Sequence, residues 1–365
     1  MPEIQEQIAE IEDEIQRTPY NKATQHHIGK LKAKLARLRE RAEKKTGGAT
    51  GTSYAVSKEG NATVALVGFP SAGKSTLLNQ LTNAESDVGD YDFTTLKIVP
   101  GMMEYKGANI QLLDMPGIVR GASRGRGRGR EIISVIRASD LIVILLDVFE
   151  TNLGLMLDEL HDAGIRFNDR LPDIVATRRD RGGISVNTTV KLTEIDEEMI
   201  EDIFREWGFI NADVVVREDV TEDRVIDWLA GSRAYISSVL VLNKVDLVTK
   251  AYLNHLKKKL KGWEILPISA KNGTGLPKLR KKIYDTLEFI RVYMKPQGKQ
   301  ADLEEPLVIK KGSTVAAVCD SIHRDFRRKF KHANVWGKSA KFPGQRVGLG
   351  HVLKDKDVVT LIIQK

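Results

Sequence analysis

Apolar residues near the start of the chain fall on two stripes. Ile4, Ile8, Ile11 and Ile15 recur at spacings of 4, 3 and 4, and Ile28, Leu31, Leu35 and Leu38 at 3, 4 and 3, each the mark of one face of an amphipathic helix. Thr18 and Pro19 interrupt the pattern between them. Residues 1–46 therefore predict a helical hairpin, followed by a Gly/Thr/Ser-rich linker at 47–53. From Asn61 the texture changes to short apolar runs alternating with helical periodicity, with strands expected at Ala62–Val67, Ile110–Leu113, Leu141–Leu146, Ser238–Leu242 and Ile265–Ile268. Such alternation predicts a mainly parallel α/β sheet, assigned to 60–164 and 233–295. The interval between the third and fourth strands is far longer than the roughly dozen residues a crossover needs. Residues 165–232 are accordingly expected to form an inserted α/β subdomain, with strands at Gly183–Val190 and Asp213–Val216 and helices at Ile195–Trp207 and Thr221–Leu229. The polar stretch QGKQADLEE reads as a linker to a final small unit at 302–365. That unit predicts a strand at Leu307–Ile309, a helix opening near Ser313 or Thr314, and strands ending at Val358–Ile363.

A length of 365 residues allows two or three domains, and no stretch approaches the roughly 18 to 20 apolar residues of a membrane span. The first residues alternate acids with isoleucines, so no secretory signal is expected. The single cysteine, Cys319, fits a reducing compartment and sits on the apolar face of its helix, so a cytoplasmic protein with a core thiol is expected. Seven histidines show no zinc-ligand spacing. The net charge of +8 is unevenly placed: residues 306–365 hold thirteen Lys or Arg against four acids, and residues 16–45 ten bases against two. A polyanion could be met at both ends.

The sharpest chemical signal is GFPSAGKS, in which Gly68, Phe69, Pro70, Ser71, Ala72, Gly73, Lys74 and Ser75 follow an apolar strand and precede a helical segment opening at Thr76. This is the GxxxxGK[ST] pattern in its required context. Its glycines let consecutive amides curl around phosphate oxygens, Lys74 brings charge to the β- and γ-phosphates, and Ser75 offers a hydroxyl to Mg²⁺.

Downstream residues choose the nucleotide. Asn243, Lys244, Val245 and Asp246 follow an apolar strand at its carboxyl end, where such sheets keep their ligands. A carboxylate at Asp246 can accept both N1–H and the exocyclic amine of guanine, a donor pair adenine lacks. Ser269, Ala270 and Lys271 follow the next strand and can bring a backbone N–H towards guanine O6. Asp114, at the end of another strand, can hold Mg²⁺ through water, and Gly117 can present its N–H to the γ-phosphate. Between Ser75 and Asp114 lies YDFTT, whose Thr94 and Thr95 both qualify to reach Mg²⁺, with Thr95 preferred. Lys74, Thr95 and Gly117 are the groups expected to act on the transferring phosphoryl.

The series GFPSAGKS, YDFTT, DMPG, NKVD, SAK resembles the Obg-like branch of translation-factor-class GTPases, and specifically the developmentally regulated GTP-binding protein family. The flanks add to it. NKATQHHIGKLKAKLARLR resembles the basic helical segment that precedes the family's GTPase domain, GIVRGASRGRGRGRE resembles its second switch, and residues 306–365 resemble the TGS domain. The insert resembles a small α/β unit like one found in a ribosomal protein. The resemblance implies a Ras-like P-loop NTPase fold with an inserted α/β subdomain, an N-terminal helical hairpin and a C-terminal ubiquitin-like β-grasp domain. It implies hydrolysis of GTP to GDP and phosphate with Mg²⁺, association with the ribosome or RNA through the basic terminal units, and a small regulatory partner protein, with no membrane involved.

Ile118 stands where Ras-type enzymes place a water-orienting glutamine, so a hydrophobic-substituted GTPase, slow without partners, is expected. Asp92 stands where the family usually has proline. Ser71 stands where potassium-activated relatives carry asparagine, which leaves potassium dependence open. The arginine- and glycine-rich run 120–130 reads as a switch or as an RNA-binding tract. In the last unit Arg324, Arg327, Arg328, Lys329 and Lys331 are interleaved with Phe326, Phe330, His332 and Trp336, a pattern suited to RNA. An RNA-binding or ribosome-associated scaffold with GTP as a structural ligand is the competing reading.

Overall fold

The computed structural model describes residues 2–46, 58–82, 98–117 and 128–364. The chain opens with α1 (Pro2–Arg17) and α2 (Gln25–Thr46). An α/β run follows: β1 (Ala62–Gly68), α3 (Lys74–Leu81), β2 (Val99–Tyr105), β3 (Ala108–Asp114), α4 (Arg128–Ala138), β4 (Leu141–Asp147) and α5 (Leu153–Asp162). Next come β5 (Ile165–Phe167), β6 (Ile174–Arg178), β7 (Ile184–Thr188), α6 (Glu197–Glu206), β8 (Ala212–Val216) and α7 (Glu222–Ala230). The run resumes with β9 (Ala234–Asn243), α8 (Lys250–Lys259), β10 (Ile265–Pro267) and α9 (Leu276–Thr286). The chain closes with β11 (Phe289–Met294), β12 (Leu307–Lys310), α10 (Val315–Ile322), α11 (Arg324–Arg328), β13 (Phe330–Trp336), β14 (Gln345–Val347) and β15 (Asp357–Ile363). No helix among the described residues is long and apolar enough to cross a membrane.

The chain divides into two units, one of residues 1–53 and 164–235, the other of 54–163 and 236–365. In the first, β6, β8 and β7 form a sheet in that order, with β6 and β8 antiparallel and β7 and β8 parallel. Helices α6 and α7 cover one face through Met199, Ile203, Phe204 and Val225, all fully buried. Helix α2 packs on α6 and α7 and contributes Ala33 to the same core. The approach is close at Gly29, where a Cβ would lie 2.5 Å from Met199 Sδ. Three of its cations are paired inside the unit: Arg39 with Glu12 at 2.8 Å, Lys30 with Asp202 at 2.9 Å, and Lys32 with Glu222 at 3.0 Å and Asp223 at 3.1 Å. The hairpin expected as a separate basic unit is thus a packed part of the insert: its apolar stripe closes on α1, with Leu31 and Leu38 against Ile11, while the small residues Gly29 and Ala33 of α2 meet the insert's core.

In the second unit the sheet order is β10-β9-β4-β1-β3-β2. All neighbours run parallel except β2, which pairs antiparallel with β3. Strands β1 and β4 are buried along their whole length, which accounts for unbroken apolar runs in place of alternation. The register aligns Gly68 with Leu145, Leu66 with Asp114, and Asp147 with Asn243. The chemically active residues therefore share one end of the sheet.

The last sheet is β12-β11-β15-β13-β14, packed on α10. Strand β11 corrects the sequence reading, which placed 289–295 in the first α/β domain. It pairs antiparallel with β12 and parallel with β15, so QGKQADLEE is a connection within a hairpin and not a linker between domains. Val308 belongs to the core of the α/β domain, Asn61 Nδ2 donates to Val308 O at 3.0 Å, and Lys310 pairs with Asp140 at 2.6 Å. These contacts fix the β-grasp domain against that domain.

Candidate functional site

The loop between β1 and α3 is shaped by its glycines. Gly73 lies in the left-handed region at φ 93°, and a Cβ on it would come within 2.4 Å of Asn243 Nδ2. Ser71 also has a positive φ, 62°. A Cβ on Gly68 would meet Leu145 O at 2.5 Å. Larger residues at either glycine would clash and distort the turn. Helix α3 begins at Lys74, so the amides of Lys74, Ser75 and Thr76 open its N-terminus without intrahelical acceptors. Within the loop Phe69 is half-buried, Pro70 exposed and Ala72 buried.

Lys74 is buried, and its Nζ donates to Gly68 O at 3.2 Å and Phe69 O at 3.1 Å. Burial pushes its pKa down, against the opposing charge of Asp114. An ammonium in this position is under-solvated and would be relieved by phosphate oxygens. Ser75 Oγ donates to Asp114 Oδ2, while Asp114 Oδ1 is buried with no hydrogen-bond partner. Gly117 sits against the loop, where a Cβ would lie 2.9 Å from Pro70 N.

The base-recognition motif is built onto this loop. Asn243 is buried at the end of β9; its Nδ2 donates to Ala72 O at 2.9 Å, and its Oδ1 accepts from Ala270 N at 2.9 Å. One side chain thus ties together three segments. Of the Ser269, Ala270 and Lys271 segment expected to bring a backbone N–H towards guanine, the Ala270 amide is engaged with Asn243. Ser269 is fully buried, with its Oγ accepting from Asn272 N at 3.2 Å, which shapes the turn carrying exposed Lys271. Lys244 takes a left-handed backbone, φ 63°. Asp246 then falls on a short 3-10 turn, Val245–Leu247, with its carboxylate exposed.

Sequence reasoning missed Asp147. It ends β4 beside Asn243, accepts from Lys244 Nζ at 2.8 Å, and caps the Phe149 and Glu150 amides at 2.8 and 2.7 Å. Burial pushes its carboxyl up, but Lys244 and the two amides outweigh that and hold it below the usual range. The signal was present: an aspartate closing an apolar strand at the sheet's active end. Thr94, Thr95, Ile118 and most of the arginine-rich run lie outside the described residues.

In the β-grasp domain the expected basic cluster is divided. Arg327 pairs with Asp320 and Arg328 with Asp325, each at 2.9 Å. Phe326 and Phe330 pack against the core, and Cys319 is fully buried, its thiol pushed up by burial.

Family models match three consecutive stretches: a 50S ribosome-binding GTPase over 63–178, the C-terminal region of that domain over 181–289, and a TGS domain over 290–363. A GTP-binding protein of Methanocaldococcus jannaschii is 54% identical over 365 residues, covering 99% of this chain and 93% of that protein. Developmentally-regulated GTP-binding protein 2 of Homo sapiens is 42% identical over 363 residues, covering 98% of this chain and 99% of the relative. Among solved structures, the Schizosaccharomyces pombe YchF GTPase aligns with 84% of this chain and 98% of its own at 14% identity and a TM-score of 0.45. With this phosphate loop, this base motif and full-length identity of that order, the chain belongs to the developmentally regulated GTP-binding protein family, P-loop GTPases with a C-terminal TGS domain.

Proposed function

We propose that the protein hydrolyses GTP to GDP and phosphate slowly on its own, with Mg²⁺, and that its nucleotide state regulates contact with the ribosome or RNA. The observation carrying the nucleotide half is the Asn243 bridge, which holds the phosphate loop and the base motif in one hydrogen-bonded unit. Asp246 beside it supplies the two acceptors that guanine's donor pair requires.

Ser75 and Asp114 fit the ion: one hydroxyl and a carboxylate with a buried, unpartnered oxygen are hard donors in the arrangement that suits a partly hydrated divalent cation. The bound ion would supply charge neutralisation at the phosphate oxygens. Lys74 and the amides opening α3 hold the same oxygens and stabilise the charge that spreads over the transferring phosphoryl. Gly117, packed against Pro70, would offer its N–H to the γ-phosphate, and Thr95 or Thr94 is assigned to the triphosphate state. Ile118 has no group to orient water, so low turnover without a partner follows, and substituting K⁺ for Na⁺ in the assay tests whether a monovalent ion completes the site.

Support for the ribosomal half comes from the 50S ribosome-binding description of the family model matching 63–178 and from the excess of bases in 306–365. Co-sedimentation with ribosomes in GDP and in a non-hydrolysable GTP analogue tests it. A nucleotide-dependent difference is expected of a switch; equal binding in both states would identify a scaffold.

A further inference from the structure

The pairing of Arg327 and Arg328 with acids leaves a different set of cations unneutralised on the β-grasp sheet. Lys331 and Arg346 are exposed and form no ion pair with any described residue. The register sets Arg346 opposite Asn334, and Asn334 shares its face with His332, two positions away along β13. His332 and Arg346 are thus diagonal neighbours, within reach of a long side chain. The pairing of β13 with β15 shifts register between Phe330 and His332. A bulge there breaks the strict alternation that would send Lys331 to the other face. His332 Nδ1 is shut off from solvent without a hydrogen-bond partner. Its pKa is pushed down by burial and then by the charges of Arg346 and Lys331, so both cations act on the one ring. An anion bound between these cations would offset their charge and favour the protonated ring.

We propose that Lys331, His332 and Arg346 form a contact patch for the phosphate backbone of single-stranded RNA on the β13–β14 face. The inference rests on the RNA half of the proposed function and narrows it to three side chains. Of these, Arg346 lies outside the 324–336 cluster visible in the sequence. RNA is favoured over a small free anion because the cations sit on an open strand face and not in a closed cradle, a geometry that tracks successive phosphates.

The test uses the full chain loaded with GDP and a fluorescent single-stranded RNA of about a dozen nucleotides, titrated across a salt series. Each single-strand phosphate contact contributes about 0.7 to the slope of log affinity against log salt. The double variant Lys331→Gln/Arg346→Gln is expected to lower that slope by about 1.4 and to weaken binding at least about tenfold at low salt. Arg327→Gln, whose side chain is occupied by Asp320, is expected to change affinity less than about twofold. In wild type, the His332 ring signals should titrate at higher pH with RNA present, whereas millimolar inorganic phosphate should leave them in place. Absence of RNA binding, a double variant that binds like wild type, or an equal response to phosphate would each overturn the patch. Nucleotide affinity and nucleotide-dependent ribosome co-sedimentation are measured on the same variants, so loss of the patch alone is separable from failure of the switch.

Discussion

The Asn243 side-chain amide donates to the Ala72 carbonyl at 2.9 Å across 171 positions of sequence. The loop that holds phosphate and the strand end that reads the base are therefore one unit. Asn243→Ala would leave the Ala72 carbonyl and the buried Ala270 amide unpaired, a loss of about 1 to 3 kcal/mol. GTP and GDP affinity should fall together by about tenfold or more, measured by fluorescent-nucleotide titration, with a lower Tm for the free protein.

Lys74 behaves differently. Its ammonium is under-solvated in the free site, since burial depresses its pKa, and phosphate oxygens would stabilise the charged form. Lys74→Ala should consequently leave the Tm of the nucleotide-free protein within a few degrees of wild type. It should also abolish the rise in Tm that GTP produces. A large fall in the free protein's Tm would contradict this, and thermal scans with and without GTP decide it.

Asp246 is exposed at the site, so Asp246→Asn should fold normally. It replaces an acceptor oxygen with a donor amide, which matches the 2-oxo group of xanthine and opposes the 2-amine of guanine. Competition between GTP and XTP should shift towards XTP by at least about tenfold, roughly the value of one lost charged hydrogen bond. An unchanged preference would remove Asp246 from base recognition.

Asp140 joins the α/β and β-grasp domains by accepting from Lys310 Nζ at 2.6 Å and from Thr63 N at 3.0 Å. Burial raises its carboxyl, but Lys310, the Thr63 amide and Lys58 outweigh that and hold it below its ordinary 3.8. A depressed carboxylate stabilises the fold above the unfolded value, and that stabilisation disappears as pH falls through the folded one. Asp140→Asn should cost about 1 kcal/mol near neutrality, discounted for the exposure of Lys310. The Tm difference from wild type should stay level from about pH 5 to 8 and shrink below about pH 4.

The phosphate loop was legible because its chemistry is contiguous: eight residues, flanked by a strand and a helix, fix both turn and charge. The alternation of β1, β4 and β9 with helices was equally local. What escaped were relations carried by register. Strand β2 contains Pro100 and Gly101, which dilute a strand pattern, although Lys106 and Gly107, at φ 52° and 81°, form the tight turn that joins it to β3. Strand β11 follows α9 with hardly a break, so its allegiance to β12 and β15 could not be read from periodicity. The partners of His26 and Lys32 on α2 are acids about 170 to 190 positions away, and no window of sequence contains both.

Calorimetric titration of the nucleotide-free chain with GDP, GTP and ATP in the presence of magnesium tests the central claim most directly. Both guanine nucleotides should bind with measurable heat, and ATP should bind at least about a hundredfold more weakly, as expected where the Asp246 acceptors meet a base without the matching donors. No heat from GDP or GTP, or an equal affinity for ATP, would contradict a site in which residues 68–75 hold phosphate while Asp246 selects the base.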